Sequence, residues 1–392
     1  MESFFRTHDY LIDHLQASVR RELMDEIDWS SRMIGIKGTR GVGKTTFLLQ
    51  YAKERFGHDR SCLYINMNNL YIQGRGIAEF AGEFHKIGGK VLLIDQVFKH
   101  PDWSKELRKC HDLYPNLKIV FTGSSVMRLK EENPELNGIV SSYNLRGFSF
   151  REYLNLKSGI AIPSYRLHHI LGHHEEIARS VLDQVDPSQY FKDYLHHGFY
   201  PFFLENGNYS ENLIKTMNMM MEVDILLVKQ IELKYLPKIK KLFYLLSVSG
   251  TGTPNISQLA KEIDLSRSTA LNYIKYLADA RLINLVYSKG EDFPKKPARV
   301  LMHNPNLIYT IYPRRNDSQD VEDTFFVNTM WKDHVVHKGE KHGSFLVDGE
   351  LQFKVIDDES GLRNNSKYIY AVNNFACGHD NVIPLWLFGL LY

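Results

Sequence analysis

Short, continuous apolar runs alternate with helical patterns along the first part of the chain. After an amphipathic pattern over residues 9–28, apolar runs occur at 33–37, 62–66, 91–95 and 118–122. The first pattern predicts a leading helix, and the four runs predict strands. Strands of continuous apolar residues that alternate with helices are typical of a parallel sheet covered on both faces. The sequence therefore predicts an α/β fold built on such a sheet.

The pattern changes in the second part of the chain. Residues 149–237 have a mostly helical pattern, and no convincing strand interrupts it. The next helices are predicted at 238–246, 256–263 and 268–280. An apolar strand is predicted to follow at 282–287. Helix, helix, tight turn, helix and strand is the order of a winged helix, in which the loop 288–297 would be the wing.

The composition is that of an ordinary globular protein. Hydrophobic residues make up 43% of the 392 residues, and 48 Lys and Arg against 46 Asp and Glu leave a formal charge of +2. This balance removes any global case for a protein that coats nucleic acid. The three cysteines form no CxxC pair, which favours a reducing compartment. The longest apolar stretch, 382–392, is far shorter than the ~20 residues of a membrane helix, so the sequence predicts a soluble, cytoplasmic protein.

A glycine-rich segment follows the first predicted strand and precedes a helical pattern. Residues 38–45 read G-x-x-x-x-G-K-T, the P-loop pattern, whose glycines let backbone N–H groups turn around phosphates at a helix N-terminus. Lys44 is expected to reach the β- and γ-phosphates, and the Thr45 hydroxyl to ligate Mg²⁺. The predicted contacts to ATP come from Gly38, Thr39, Arg40, Gly41, Val42, Gly43, Lys44, Thr45 and Thr46. The alternative is a plain glycine turn before a helix.

Two further strands end in residues that suit this chemistry. The strand 91–94 runs into Asp95, which would hold Mg²⁺ through water at the carboxyl edge of the sheet, where ligands bind. The alternative is an ordinary strand end. Gln96 follows, and its amide can hydrogen-bond an attacking water but cannot accept its proton. The next strand ends in Thr122 and Ser124, either of which could sense the γ-phosphate or simply begin a loop.

The chain contains the segments GTRGVGKTT, LLIDQV, PDWSKELR, IVFTGSS and NLRGFSFREYLNL. Together they resemble the bacterial and archaeal AAA+ ATP-binding proteins of the STAND-like branch, and the P-loop and FTGSS segments are the most specific. The resemblance covers essentially the whole chain, including its ending at Ile383–Gly389. It implies ATP and Mg²⁺ as cofactors and assigns catalytic roles to Lys44, Asp95, Gln96 and Thr122.

The resemblance also implies four domains. These are a P-loop AAA+ core at 1–150, a helical lid at 151–236, a winged helix at 237–304 and a degenerate nuclease-like α/β domain at 305–392. In the last domain, strands are predicted at 344–347 and 351–356.

The nuclease-like domain is expected to lack catalytic activity. Restriction-type nucleases need an Asp and, on a neighbouring strand, an acid-x-Lys that holds a metal beside the scissile phosphate. Asp348 could be the first acid, but the acid-x-Lys position reads Lys354-Val355-Ile356. A structural or interaction role is therefore expected.

Two departures from the family weaken the expected turnover. Position 96 is usually glutamate in the family, and segment 136–140 lacks the arginine that would act as a finger on a neighbour's γ-phosphate. An engineered Glu-to-Gln trap explains Gln96 alone, whereas natural decay of turnover explains both departures; the two alternatives stay open. Candidate substitutes for the finger are Arg128, Arg146 and Arg151. Because ATP sites in this superfamily usually lie at subunit interfaces, a homo-oligomer is also expected.

The leading hypothesis is an AAA+-type ATPase that acts as a slow, nucleotide-dependent conformational switch. The alternative is a winged-helix DNA-binding regulatory protein with a vestigial nucleotide site. The candidate DNA contacts are Arg267, Asn272 and Lys275 on the third helix and Lys295, Lys296 and Arg299 in or beside the wing. Of the other distinctive residues, the histidines at 168–169 and 173–174 are expected to be solvated, and Met219–Met221 to pack in a core.

Overall fold

The chain folds into two compact units, residues 1–146 and 147–392. The computed structural model describes residues 1–392 except 18, 128–132, 206, 251, 313–317 and 363–366. The predicted division into four domains is finer than this, and its boundaries stay predictions. In the part of the chain that the structure describes, no helix is both long enough and apolar enough to span a membrane.

A five-stranded parallel sheet lies at the centre of the first unit, as its described residues show. Its strands are β1 (Met33–Gly38), β2 (Cys62–Asn66), β3 (Val91–Asp95), β4 (Lys118–Ser124) and β5 (Ser141–Asn144). They lie in the order β2-β3-β4-β1-β5, and each neighbouring pair is parallel. This confirms the predicted α/β fold. The carboxyl ends of all five strands therefore meet at one edge of the sheet.

Helices precede and separate most of these strands, as the alternating pattern predicts. They are α1 (Glu2–Asp13), α2 (Leu23–Glu26), α3 (Lys44–Arg55), α4 (Leu70–Gln73), α5 (Ile77–Lys86) and α6 (Trp103–Leu113). The prediction of one leading helix over 9–28 was wrong, since α1 ends at Asp13 and a short α2 follows. Arg21, in the intervening segment, is turned inward and donates to the backbone carbonyls of Val42 and Arg146. Tertiary hydrogen bonds of this kind override a local helical pattern.

The second unit begins with helices. They are α7 (Phe150–Ser158), α8 (Leu167–Leu182), α9 (Pro187–His197), α10 (Tyr209–Met219) and α11 (Leu226–Lys229), with a π-helical segment at Met220–Ile225 between the last two. Met220 and Met221 are buried, whereas Met219 is 38% exposed, so only two of the three methionines pack in the core as predicted. His174 is buried, which contradicts its predicted solvation; His168, His169 and His173 are exposed.

Three helices and a strand follow in the order that the sequence predicted, and a second strand, which was not predicted, completes a hairpin. They are α12 (Leu236–Val248), α13 (Ile256–Glu262), α14 (Arg267–Asp279), β6 (Ile283–Val286) and β7 (Arg299–Met302). The two strands are antiparallel and pair Ile283 with Met302. The loop between them contains the residues predicted as the wing.

A mixed five-stranded sheet occupies the end of the second unit within the described residues. It follows α15 (Pro305–Ile311) and α16 (Ser318–Met330) and comprises β8 (Val336–Lys338), β9 (Ser344–Val347), β10 (Leu351–Ile356), β11 (Ile369–Val372) and β12 (Val382–Pro384). Strands β8 to β10 are antiparallel, and β10 to β12 are parallel. The aromatic rings of Phe326, Phe345, Phe353 and Phe388 pack together in its core. The predicted strands 344–347 and 351–356 are confirmed.

Candidate functional site

The glycine-rich loop between β1 and α3 depends on glycine at defined positions. A Cβ on Gly38 would lie 2.5 Å from the Leu145 carbonyl oxygen, which is too close for any other residue. Gly41 and Gly43 have φ of 85° and 92°, in the left-handed region that glycine adopts without strain. Helix α3 then begins at Lys44, and no side chain caps its first turn. The loop thus has the backbone geometry of an anion-binding turn at a helix N-terminus.

Lys44 lies across this loop. Its Nζ donates hydrogen bonds to the carbonyl oxygens of Gly38 and Thr39, both at 2.8 Å. The ammonium group is therefore held beside the loop. The P-loop motif predicts that it contacts phosphate oxygens there. Of the loop's other predicted contact residues, Val42 and Thr39 are buried, Arg40 is half-buried, and Thr46 is exposed.

The Asp95 carboxylate, at the end of β3, is fully buried and accepts hydrogen bonds from several elements. Its Oδ2 accepts from the Thr45 hydroxyl at 2.7 Å, from the Tyr64 hydroxyl at 2.9 Å and from the Asn66 amide at 3.1 Å. Its Oδ1 accepts from the Thr122 hydroxyl. A buried carboxylate is tolerated when its charge is met by donors, and here donors come from α3, β2 and β4.

Two of these donors, Tyr64 and Asn66, were not predicted. They lie two residues apart and so share one face of β2, and the sheet register places Asn66 beside Asp95. Burial, and then the charge of Asp95, raises the pKa of the Tyr64 phenol well above its usual value. Its hydroxyl consequently remains a donor across the physiological range. Only the pairing of β2 with β3 reveals this contact, because neither residue belongs to the P-loop motif.

Gln96 is held by its backbone. It adopts φ 57° and ψ 46°, and its N–H donates to the Thr122 hydroxyl at 2.9 Å. Its carbonyl accepts from the Lys99 N–H at 3.0 Å, which starts a single 3₁₀ turn. Its half-buried side chain makes no hydrogen bond to any residue that the structure describes. The amide is thus placed next to Asp95 with its hydrogen-bonding capacity unused.

The structure separates the two hydroxyls that were predicted as alternatives at the end of β4. Thr122 is fully buried and joins the Asp95 carboxylate to the Gln96 backbone. Ser124 accepts a hydrogen bond from the Val126 N–H at 3.3 Å, which is the local turn that the alternative interpretation describes. Thr122 therefore belongs to the site through its contact with Asp95.

The candidate arginine fingers have different surroundings. Arg128 lies outside the described residues. Arg146 is the last residue of the first unit, and its carbonyl accepts from Arg21 at 2.9 Å. Arg151 belongs to the second unit, where its guanidinium donates to the Ile162 carbonyl at 3.3 Å.

The donor set at the first-unit site fits Mg²⁺ in the way that P-loop sites hold it. Mg²⁺ prefers oxygen ligands and usually takes one or two carboxylates together with phosphates and water. Thr45 and Asp95 supply a hydroxyl and a carboxylate within 2.7 Å of each other. Among the described residues there is no cluster of three His, Cys, Asp or Glu that could hold a metal without other ligands. Thr45 and Asp95 are thus the residues that would hold a nucleotide-bound Mg²⁺.

The second unit contains several residues that were predicted to carry other chemistry. Asp348 accepts from the His334 ring at 2.6 Å and from the Val335 N–H at 2.9 Å. Lys354 lies on β10 and pairs with Ser344 in the register. Asp348 itself lies in the turn between β9 and β10.

The candidate DNA contacts are unequal. Arg267 and Asn272 are exposed on α14, whereas Lys275 pairs with Asp279 at 2.7 Å and Lys295 with Glu291 at 3.2 Å. The Arg299 side chain is only 11% exposed, because it forms an ion pair with Asp323 and packs over the Phe345 ring. Arg299, one of the candidate DNA contacts in or beside the wing, is therefore buried on β7 and not exposed to solvent.

Two family models match parts of the chain. Residues 30–154 match a model described as an AAA domain, and residues 188–302 match one described as a domain of unknown function. An uncharacterized protein of Methanocaldococcus jannaschii is 28% identical over an alignment of 274 residues, and the match covers 66% of this chain. The chain spans 57% of that protein's length.

Solved structures show only remote similarity. The Aeropyrum pernix ORC1 protein in complex with DNA is 10% identical, with a TM-score of 0.30 over 84% of this chain and 93% of its own. AMPPCP-bound DnaA from Aquifex aeolicus is 14% identical, with a TM-score of 0.26 over 70% and 88%. C. elegans PCH-2 is 16% identical, with a TM-score of 0.24 over 40% and 43%. The matched AAA domain model and the loop geometry together support an AAA+ P-loop ATPase core in the first unit.

Proposed function

We propose that the first unit binds ATP together with Mg²⁺ and that the chain acts as a slow, nucleotide-dependent conformational switch. The observation that supports this most directly is the hydrogen bond of 2.7 Å from the Thr45 hydroxyl to the Asp95 carboxylate. Thr45 lies next to the glycine-rich loop, to which Lys44 is hydrogen-bonded. A P-loop lysine, its neighbouring hydroxyl and the acid of an adjacent strand are the groups that nucleotide phosphates and their metal require.

Each group has a distinct task in this proposal. The backbone N–H groups of the loop and the first turn of α3 bind phosphate oxygens. Lys44 exchanges its bonds to the Gly38 and Thr39 carbonyls for bonds to phosphate, so its charge is present at the site before the ligand arrives. Thr45 and Asp95 hold the metal side, where bound Mg²⁺ would neutralise phosphate charge.

Slow turnover follows from the chemistry of residue 96. The Gln96 amide can orient a water molecule but cannot take its proton, and general-base help is typically worth ~10²–10⁴-fold. The segment 136–140 lacks an arginine, and an arginine finger is worth ~10³–10⁵-fold. The nucleotide would therefore remain bound for long periods, which is the behaviour of a switch. The three free thiols are consistent with a reducing, cytoplasmic setting.

Calorimetry of ATP–Mg binding tests the assigned site. Lys44→Ala should weaken binding by at least about 100-fold, since it removes a charge that meets phosphate directly. Lys105→Ala is a matched control, because Lys105 is an exposed lysine of the same unit that pairs with Asp102. Unchanged affinity in Lys44→Ala would show that the site is wrongly assigned.

Single-turnover hydrolysis tests the slow switch. The chain should hydrolyse bound ATP at well under about one per second, which is the low end of the range typical of protein kinases. Gln96→Glu should raise the rate, only partly if no arginine reaches the γ-phosphate and strongly if another arginine does. A rate of about one per second or more in the unaltered chain would contradict the proposed effect of Gln96.

A second candidate function is DNA binding through α14 and the β6–β7 hairpin, treated as a winged helix. The supporting observation is that Arg267 and Asn272 are exposed on the third helix. Binding measured by anisotropy should weaken with salt, through phosphate contacts, and should be lost in Arg267→Ala with Lys275→Ala. Salt-independent or unchanged binding would exclude this surface.

Self-association is the remaining proposal. AAA+ sites commonly lie between subunits, and a homo-oligomer would supply the arginine that segment 136–140 lacks. Light scattering with and without ATP–Mg should reveal a nucleotide-dependent increase in mass. A monomer under both conditions would count against a site shared between subunits.

A further inference from the structure

Strand β2 presents two linked donors to the Asp95 carboxylate. The Tyr64 hydroxyl and the Asn66 amide both donate to Oδ2, at 2.9 and 3.1 Å. The Asn66 amide also donates to the Tyr64 hydroxyl oxygen at 3.3 Å, and this hydrogen bond links the two donors. Since they lie on one face of a strand paired in register with β3, their positions are fixed by the sheet itself.

These donors differ from the third donor on the same oxygen. Thr45 is an exposed residue in the first turn of α3, next to the loop that would receive phosphate. Tyr64 is 5% exposed and lies within the sheet, and neither it nor Asn66 belongs to the loop. If the Thr45 hydroxyl binds the metal, it no longer donates to Oδ2. The orientation of Oδ2 then depends on the hydrogen bonds from Tyr64 and Asn66.

We propose that Tyr64 and Asn66 are positioning residues that set the Mg²⁺ affinity of the nucleotide site by holding the Asp95 carboxylate. This rests on the proposed function, since it concerns the metal that accompanies ATP. The two residues act through Asp95 and do not touch the nucleotide. Groups that orient a metal-binding side chain typically change metal affinity 10–100-fold when removed.

The experiment separates metal binding from nucleotide binding in the full chain. Affinity for a fluorescent ATP analogue is measured in EDTA and then over a series of free Mg²⁺ concentrations. Tyr64→Phe keeps the ring and removes only the hydroxyl, and it should raise the Mg²⁺ concentration at half-maximal effect about 10-fold. Affinity for the metal-free analogue should stay within about twofold. Asn66→Ala should give the same pattern.

Tyr114→Phe is the matched control. Its hydroxyl donates to the Ala78 carbonyl at 3.2 Å in the same unit and makes no contact with Asp95. It should leave the Mg²⁺ response unchanged. Circular dichroism and thermal melting establish that each variant is folded; if Tyr64→Phe is not, Asn66→Ala provides the same test.

A double-mutant comparison shows whether the effect passes through Asp95. In an Asp95→Asn chain, adding Tyr64→Phe should change the Mg²⁺ response no further, because the group that Tyr64 orients is already altered. An unchanged Mg²⁺ response in both Tyr64→Phe and Asn66→Ala would overturn the inference while leaving ATP binding intact. If the unaltered chain bound the analogue neither with nor without Mg²⁺, the proposed function would fail together with it.

Discussion

Two buried carboxyl groups, Asp95 in the first unit and Glu322 in the second, are removed from water to the same degree but have different partners. Asp95 is 0% exposed and Glu322 1% exposed. Asp95 accepts four hydrogen bonds from neutral donors. Glu322, on α16, accepts from the Asn373 amide at 2.7 Å through Oε1, and its Oε2 accepts no hydrogen bond from any donor among the described residues.

The surroundings of Glu322 favour its neutral form. Burial, followed by the neighbouring carboxyl of Asp357, raises its pKa to about 8, although the Asn373 amide acts in the opposite direction. Asp323 adds to the negative charge nearby. Burial alone therefore does not decide the state of a carboxyl group. Asp95 accepts hydrogen bonds from donors of three elements, whereas one donor and a second acid leave Glu322 as a group that binds a proton.

The largest expected effect is the pH dependence that Glu322 gives to stability. Its pKa is about 8 in the folded chain against 4.5 for an ordinary glutamate, so the folded state binds the proton more tightly. The stabilisation is complete below about pH 4.5 and is lost as pH rises through 8. At about 1.4 kcal/mol per pKa unit, the free energy of unfolding should fall by up to ~4 kcal/mol between pH 5 and 8. Urea unfolding across this range measures it.

Glu322→Gln is the matched variant for that measurement. Glutamine resembles the protonated acid, so the difference between variant and parent isolates Glu322 from every other titrating group. The variant should unfold with little of this pH dependence and should be more stable than the parent at pH 8. Parallel curves for the two chains would show that Glu322 is ionised in the folded state at neutral pH.

The next effect tests the donors at Asp95. Thr122→Val removes the hydroxyl that donates to Asp95 and accepts from the Gln96 N–H. Two buried polar groups then lose a partner, at about 1–3 kcal/mol for each unsatisfied group. We expect a loss of about 2 kcal/mol in the free energy of unfolding at pH 7. Thr122→Ser keeps the hydroxyl and should lose less than half as much; equal losses would mean that packing, and not hydrogen bonding, is what Thr122 supplies.

A smaller effect is expected from the partner of Glu322. Asp357→Asn removes one of the two competing acids and supplies an amide that can donate to the Glu322 carboxylate. The pKa of Glu322 should then fall, and the free energy of unfolding at pH 8 should rise by about 1 kcal/mol for each unit of that fall. The midpoint of the pH–stability profile measures this shift. If the midpoint is the same as in the parent, burial alone accounts for the raised pKa of Glu322.

Sequence patterns identified the elements that are buried on both faces. Strands β9 and β10 have the predicted bounds, and the runs at β1 to β4 are apolar and almost entirely buried, whichever face of the sheet their side chains occupy. Strand β5 reads Ser-Ser-Tyr-Asn and lies at the sheet edge with alternating exposure, so it carried no apolar signal. An edge strand gains its place from pairing with β1, which a local pattern does not contain.

The same distinction applies to the site residues. The P-loop motif predicted Lys44 and Thr45, because both belong to it. Asp95 was predicted because it ends an apolar strand. Tyr64 and Asn66 depend on which strand lies beside β3, and Arg299 depends on Asp323 in a helix 24 residues away. Contacts made across elements depend on topology, and one sequence gives no direct signal for them.

The smallest expected effect concerns the backbone conformation of Gln96, the residue that follows Asp95. Gln96 adopts a left-handed conformation at φ 57°, which costs a non-glycine residue about 1 kcal/mol, partly offset by the greater flexibility of glycine in the unfolded chain. Gln96→Gly should therefore raise the free energy of unfolding by about 0.5 kcal/mol. Gln230→Gly, at φ 51° in the second unit, is the control and should gain a similar amount. A loss of stability at Gln96 alone would show that its side chain helps to hold the Asp95 turn, even though it has no hydrogen-bond partner among the described residues.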